Sequence, residues 1–292
     1  MQVLSILGRR LRHTLVLCGM VAGLASAAHA AEVIPALHDA LPKEYKTNGI
    51  NAAVFNDWAP DEFMENGELK GWSVDLAKEI SARLGVEFKY VGTSFDAIIP
   101  GLASKRFDAA FSSFGATMER MEIVDFIAQR REGSGYAFLK SKPLDIKSEK
   151  DLCGHSIAIL NGSWDYQSLI KINQEQCVDA GLPPIDLQQF STQNAAELAV
   201  SSGRVEMTAA GSAKMGYFIK QIGTFAMSDL ISNAVYSCIG VRRGDVLGPI
   251  LRDAIDAIIA DGTYTKIMDK WGVAAGRIDK SVLITKENPV LQ

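Results

Sequence analysis

Apolar residues along this chain fall into short runs that alternate with stretches in which they recur every three or four positions. Residues 49–55 (GINAAVF) form a run with the length and composition of a buried strand. Within 73–84, Ala77, Ile80 and Leu84 share one helical face, and Gly85 follows as a C-terminal cap. Residues 86–91 (VEFKYV) predict the next strand. Ser94 is placed to cap a helix through Ile98, Ile99 and Leu102, and 108–111 returns to strand. The rhythm resumes past residue 150, with strands at 156–160, 185–190 and 205–209 and helices at 164–172 and 194–202, the last closed by Gly203. Leu251, Ala254, Ile255, Ile258 and Ile259 mark an amphipathic helix near the end. Such alternation predicts an α/β architecture. Two apolar stretches, 135–139 (GYAFL) and 234–241 (AVYSCIGV), fit neither block and bracket the segment between them, as crossing strands bracket an inserted domain.

The first thirty residues read as a leader rather than as fold. Arg9, Arg10 and Arg12 precede an apolar run at 14–24 that is too short to span a bilayer, and Ala28-His29-Ala30 offers small residues for cleavage. Leu15-Val16-Leu17 before Cys18 lacks the small residue of lipoprotein processing, so ordinary secretion is expected and the mature chain starts near Ala31. Removing the leader leaves 27 basic against 34 acidic residues, a formal charge of −7. An acidic chain with few basic clusters has no electrostatic footprint for nucleic acid. Three cysteines remain in an exported chain, where a bridge is expected. Cys153 and Cys177 sit beside turn-like sequence and Cys238 in an apolar run, which favours a 153–177 bridge; three buried free thiols are the alternative.

Four motifs in order resemble the amino-acid-type (family 3) periplasmic solute-binding proteins. They are Gly71-Trp72-Ser73-Val74-Asp75-Leu76; Ser94-Phe95-Asp96-Ala97-Ile98-Ile99-Pro100-Gly101-Leu102 with Phe107-Asp108-Ala109-Ala110; Ala116-Thr117-Met118-Glu119-Arg120 with Val124-Asp125-Phe126; and Asp261-Gly262-Thr263-Tyr264 with Lys270-Trp271-Gly272. Residues around Cys153 and Cys177 also resemble a subset of that family with a cysteine pair in the second lobe. The resemblance implies a two-lobed periplasmic-binding-protein (Venus-flytrap) fold, with mixed sheets flanked by helices and two crossing strands as hinge. Lobe 1 would run over 43–134 and 240–292, and lobe 2 over 140–233. It also implies the extracytoplasmic substrate-binding component of an ABC importer, located in the periplasm, monomeric, and partnered by a permease in the inner membrane. The ligand would be an amino acid or related small polar carboxylate.

The same resemblance nominates a site. Arg120 matches the family's carboxylate-binding arginine, whose fork suits a carboxylate. Ser113 and Gly115 precede it, Gly115 standing where the family has Ser or Thr, so that only its N–H can serve. Asn161-Gly162-Ser163-Trp164 resembles the family's second-lobe turn at a helix N-terminus, where free N–H groups favour an anion. Trp58 takes the place of an aromatic lid, with Phe55 and Phe114 as neighbours; core packing is the alternative for both Phe residues. Basic-amino-acid binders of the family carry an acid where Phe55 stands. Gly211 departs most, because the family places there the Asp that holds the ligand's ammonium. Asp61 or Glu206 would then substitute, or Trp58, Phe55 and Trp164 would face a methylated ammonium by cation–π contact.

Two other functions fit the same fold: an enzyme resembling cyclohexadienyl dehydratases, which would draw its acid or base from Glu206 or Asp61, and a sensor reporting to a membrane kinase. No Ser/His/Asp set, metal-spaced His/Cys group or complete phosphate loop occurs, so a binding protein with no catalytic residue, cofactor or metal is expected.

Overall fold

A computed structural model describes residues 32–290; the predicted leader at 1–30, with Cys18, lies outside the described residues. Two short helices, α1 (Pro35–Ala40) and α2 (Lys43–Asn48), lead into β1 (Ile50–Val54). A small antiparallel meander of β2 (Asp57–Trp58), β3 (Glu62–Glu65) and β4 (Glu68–Lys70) then delivers the chain to α3 (Trp72–Leu84). Helix α3 buries Trp72, Leu76, Ile80 and Leu84, each large side chain contributing roughly 1.5–3 kcal/mol. It stops where Gly85 adopts φ +64 and its N–H returns to Ser81 and Ala82. Gly71, at its other end, is a close approach, since a Cβ there would lie 1.8 Å from the Asp61 carbonyl oxygen. β5 (Phe88–Gly92), α4 (Phe95–Ala103) and β6 (Ala109–Gly115) follow. Ser94 does occupy the N-cap of α4, but its hydroxyl makes no capping bond, unlike the expectation.

The crossing strands are longer than the apolar runs suggested. β7 spans Val124–Leu139 and β11 spans Phe225–Arg242, paired antiparallel along most of their length. The polar stretch Gln129-Arg130-Arg131-Glu132 hides the middle of β7 from a hydrophobicity reading, although its backbone continues the ladder. Between them lie β8 (Ser156–Leu160), α5 (Trp164–Ile172), β9 (Asp186–Phe190), α6 (Gln193–Ser201), β10 (Met207–Gly211) and α7 (Ser212–Ile222). After β11 come α8 (Leu247–Ala260), α9 (Thr263–Trp271) and β12 (Leu283–Ile284).

Among the described residues, nine strands form one mixed sheet in the order β5-β1-β6-β11-β7-β10-β8-β9, with β12 added on β7. β1 pairs parallel with β5 and β6, and β8 pairs parallel with β9 and β10. The antiparallel ribbon of β7 and β11 joins these two parallel groups, giving a two-lobed molecule with helices against the sheet. Cys153 and Cys177 are joined, with Cα atoms 5.5 Å apart, as the residue pattern favoured. Cys238 is free and buried in β11. No described helix is long and apolar enough to cross a membrane.

Candidate ligand-binding site

Ligands of open α/β sheets bind beyond the carboxyl ends of the strands. Here those ends converge from both parallel groups. β2, just after β1, supplies Trp58, β6 supplies Ser112, Ser113 and Gly115, and the cap and first turn of α5, just after β8, supply Ser163, Trp164 and Asp165. β10 ends at Gly211, and the ribbon closes the space with Glu132 and Gly133 from β7 and Tyr236 and Ser237 from β11. The space enclosed is a cavity between the lobes, with Phe95 in its wall.

Several predicted residues therefore meet: Trp58, Ser113, Gly115, Ser163, Trp164 and Gly211 all line the cavity. Ser163 is the N-cap of α5, its hydroxyl accepting from the Tyr166 N–H at 3.0 Å. Ser113 sits at φ +47, a conformation L-residues seldom hold, next to the irregularity where the β6–β11 register shifts. That backbone turn points its hydroxyl at Asp61 Oδ2, 2.5 Å away.

Asp61 itself is fully buried behind this hydroxyl. Its Oδ2 also accepts from Arg130 Nη2 at 2.7 Å, and the same nitrogen donates to Glu132 Oε2 at 2.5 Å. Arg130 further stacks over the Trp72 ring, 5.1 Å to the centroid. Glu62 is buried beside them; loss of solvent and then the Asp61 charge push its pKa well up. Burial likewise raises Glu132 to about 7, against the pull of Arg130.

Arg120 differs from the expectation of an open clamp. Its Nη1 donates to Gly115 O and its Nη2 to Gly162 O, both at 2.7 Å, so the guanidinium ties the two lobes together. It is 5% exposed and stacks over Phe95 and Phe114 at 5.6 and 5.7 Å. Loss of solvent lowers its pKa to about 10, which leaves it charged at neutral pH. Phe55 and Phe114 pack behind Phe95 in the core and do not line the cavity. The identity of residue 55 therefore says little about the ligand's side chain. Gly115 owes its identity to Trp164, because a Cβ there would come within 2.4 Å of Trp164 Cγ.

Glu206 does not substitute for the missing acid at 211. It precedes β10 while Gly211 ends it, about 16 Å along an extended strand. Its carboxylate is occupied with His155 at 3.2 Å and the Ser156 N–H at 2.9 Å. The residue that fills the space over Gly211 is Glu132: a Cβ at 211 would lie 2.5 Å from the Glu132 carboxyl carbon. Asp165, 6% exposed and accepting from the Ser134 hydroxyl at 2.5 Å, is a second acid in the wall. Neither acid stood out in the sequence. The available signal was the complementarity of Gly211 and Glu132, which becomes visible only with the pairing of Gly211 against Ser134. The described residues contain no His/Cys/Asp/Glu group suited to a metal ion.

The family profile of the bacterial extracellular solute-binding proteins, family 3, matches residues 50–274. The chain is 25% identical over 254 residues to the arginine-binding protein ArgT of Corynebacterium glutamicum, covering 86% of this chain and 83% of that one. It is 29% identical over 237 residues to the L-arginine-binding protein of Pseudomonas aeruginosa, covering 76% and 86% respectively. Among solved structures it is similar to a mutant of ArgBP from T. maritima, with TM-score 0.71 and 28% identity over 81% of this chain and 99% of that one. It is also similar to an ancestral amino acid-binding protein, a precursor of cyclohexadienyl dehydratase, with TM-score 0.70 and 27% identity over 78% and 97%.

Proposed function

The chain belongs to the bacterial extracellular solute-binding proteins, family 3, and from that membership we propose that it is the extracytoplasmic substrate-binding component of an ABC importer. Its ligand is an amino acid or a related small polar carboxylate, bound between the lobes. The observation that carries this reading is the cavity itself, which gathers the strand ends of both parallel groups around Ser113, Ser163 and Trp58. Arginine- and histidine-binding relatives support the ligand class. The lobes run over 43–134 with 240–292 and over 140–233, and the ribbon of β7 and β11 is their hinge. The site comprises Trp58, Asp61, Ser113, Gly115, Arg120, Ser163, Trp164 and Gly211, with Phe55 and Phe114 as the packing that supports it. The protein works in the periplasm after cleavage of its leader, as a monomer that presents its closed form to an inner-membrane permease, and it catalyses no reaction.

Thermal-shift screening of the mature chain against amino acids and small carboxylates tests this reading. A true ligand at 100 times its Kd adds about 2.7 kcal/mol of stability. A panel that stabilises the protein nowhere overturns it. One observation favours a second reading, a water-eliminating enzyme: Glu132, at a pKa of about 7 in the cavity wall, has the poise of a general acid or base. Turnover of a cyclohexadienyl carboxylate that Glu132→Gln abolishes would establish it.

A further inference from the structure

Resting on the reading that the inter-lobe cavity takes the solute, we infer that the solute is an organic cation, a protonated or methylated amine whose charge is held by Glu132 and Asp165. Among the described residues lining the cavity, two are carboxylic acids and none is Lys, Arg or His. Of the guanidiniums beside it, Arg120 has its terminal nitrogens on backbone carbonyls and Arg131 lies over the Tyr236 ring, 4.8 Å to the centroid. Arg130 meets two acids and its single charge cannot neutralise both, so the Asp61–Arg130–Glu132 group carries surplus negative charge whenever Glu132 is ionised. A cation entering a dry cavity costs several kcal/mol unless an anion receives it. Here the anions are already buried, and the cation relieves their own desolvation.

A second, independent observation concerns Ser237. Its hydroxyl is buried and has no hydrogen-bond partner, yet the residue lines the same cavity. Buried polar groups are rarely left unpaired, so this oxygen points to a ligand N–H or O–H that completes it. Trp58, Phe95, Trp164 and Tyr236 supply aromatic surface around the acids, suited to an ammonium or its methylated forms. Glu132 takes its place because Gly211 has no side chain. It is held there by the Ala213 N–H at 2.9 Å and by Arg130. The cation anchor has thus moved from the end of β10 to the hinge ribbon, and a terminal carboxylate on the solute is dispensable.

The test uses matched probes on the mature chain: each standard amino acid, its decarboxylated amine and its deaminated 2-oxo acid, with choline added. Calorimetry is expected to find binders among compounds that carry a cationic nitrogen, amines without carboxylate included, and no comparable binding by the 2-oxo acids. Glu132→Gln should weaken the best binder at least tenfold, and Asp165→Asn severalfold, in variants whose circular dichroism matches wild type. Glu132→Asp should recover part of the loss. Affinity should also weaken at least fivefold from pH 8 to pH 6 as Glu132 takes up its proton, a dependence absent in Glu132→Gln. The groups facing Glu132 are Arg130 on its own strand, Asp61 and Glu62 from the meander side, the Ala213 N–H in the first turn of α7, and Asp165, which lines the same cavity; Arg130 and the Ala213 N–H oppose that protonation and the Asp61 charge favours it. A 2-oxo acid that binds as tightly as its amino acid, with no loss in Glu132→Gln, overturns the cation anchor and leaves the receptor reading standing. Absence of binding by every probe overturns both.

Discussion

Arg120 commits its two terminal nitrogens to carbonyls, Gly115 O in one lobe and Gly162 O in the other, whereas Arg130 offers one nitrogen to both Asp61 and Glu132. The first arginine is neutral in its immediate bonding and works across the cleft. The second leaves negative charge unspent and works within one wall. Two buried guanidiniums behind the wall of the same cavity thus do different tasks, one as a fastener between lobes and the other as a support for acids. The contrast shows that an arginine at a recognised motif position need not touch the ligand through its fork, and that the ligand's charge is better read from what remains unpaired.

The largest expected effect comes from breaking the fastener. Arg120→Ala should weaken ligand binding by about 3–6 kcal/mol, the loss of two hydrogen bonds from a charged donor at roughly 1.5–3 kcal/mol each. If Arg120 acts through closure, calorimetry will show amines and amino acids losing affinity alike; a loss confined to ligands with a carboxylate would restore it as a clamp. The acid side makes a different prediction. Glu132 titrates at about 7 in the folded chain against 4.5 ordinarily, so between those values the folded chain keeps a proton that the unfolded chain has released. Stability is therefore lost as pH rises through that window, by up to about 3 kcal/mol. Thermal unfolding of the ligand-free protein from pH 4.5 to 8 should show this decline, and Glu132→Gln should flatten it. Glu62 and Asp165, whose pKa values are also raised, chiefly by burial, leave a remainder of the same sign.

A smaller effect probes the contact that lets the lobes meet. Gly115→Ala sets a Cβ within 2.4–2.6 Å of three Trp164 atoms and should cost the closed form about 1–3 kcal/mol. In a Trp164→Ala background, where the ring it meets is gone, adding Gly115→Ala should cost little further ligand affinity. The smallest concerns a more exposed tie between lobes, where Asp57 accepts from the Asn194 side chain and backbone. Asp57→Ala should loosen closure by about 0.5–1.5 kcal/mol, visible as a modest rise in Kd.

Most of the fold was legible because it is local. The helix through Ala77, Ile80 and Leu84 with its Gly85 cap, the strands at 156–160 and 185–190, and the Cys153–Cys177 pair all depend on residues near one another in sequence. The site was half legible. Trp58, Ser113, Gly115, Ser163 and Trp164 sit at strand ends that motif order locates. Glu132 escaped because its meaning lies in a strand pairing, Ser134 opposite Gly211, that no periodicity reveals. Glu206 misled for the converse reason: it is close to Gly211 in sequence and at the other end of the strand. Asp165 passed for an ordinary first-turn acid of α5, and only its burial against Ser134 distinguishes it.

The ribbon of β7 and β11 has a mechanical consequence. Two hydrogen-bonded strands form a narrow flexure that resists sliding, because sliding breaks the ladder, but yields to bending and twist. β11 changes register against β7 at three places, between Met227 and Ile231, Ser232 and Val235, and Ser237 and Cys238. Those irregularities are its compliant joints, and Tyr236 and Ser237, which line the cavity, stand beside one of them. A solute that presses on these two residues exerts torque at the joint itself, so recognition and lobe rotation share one lever arm.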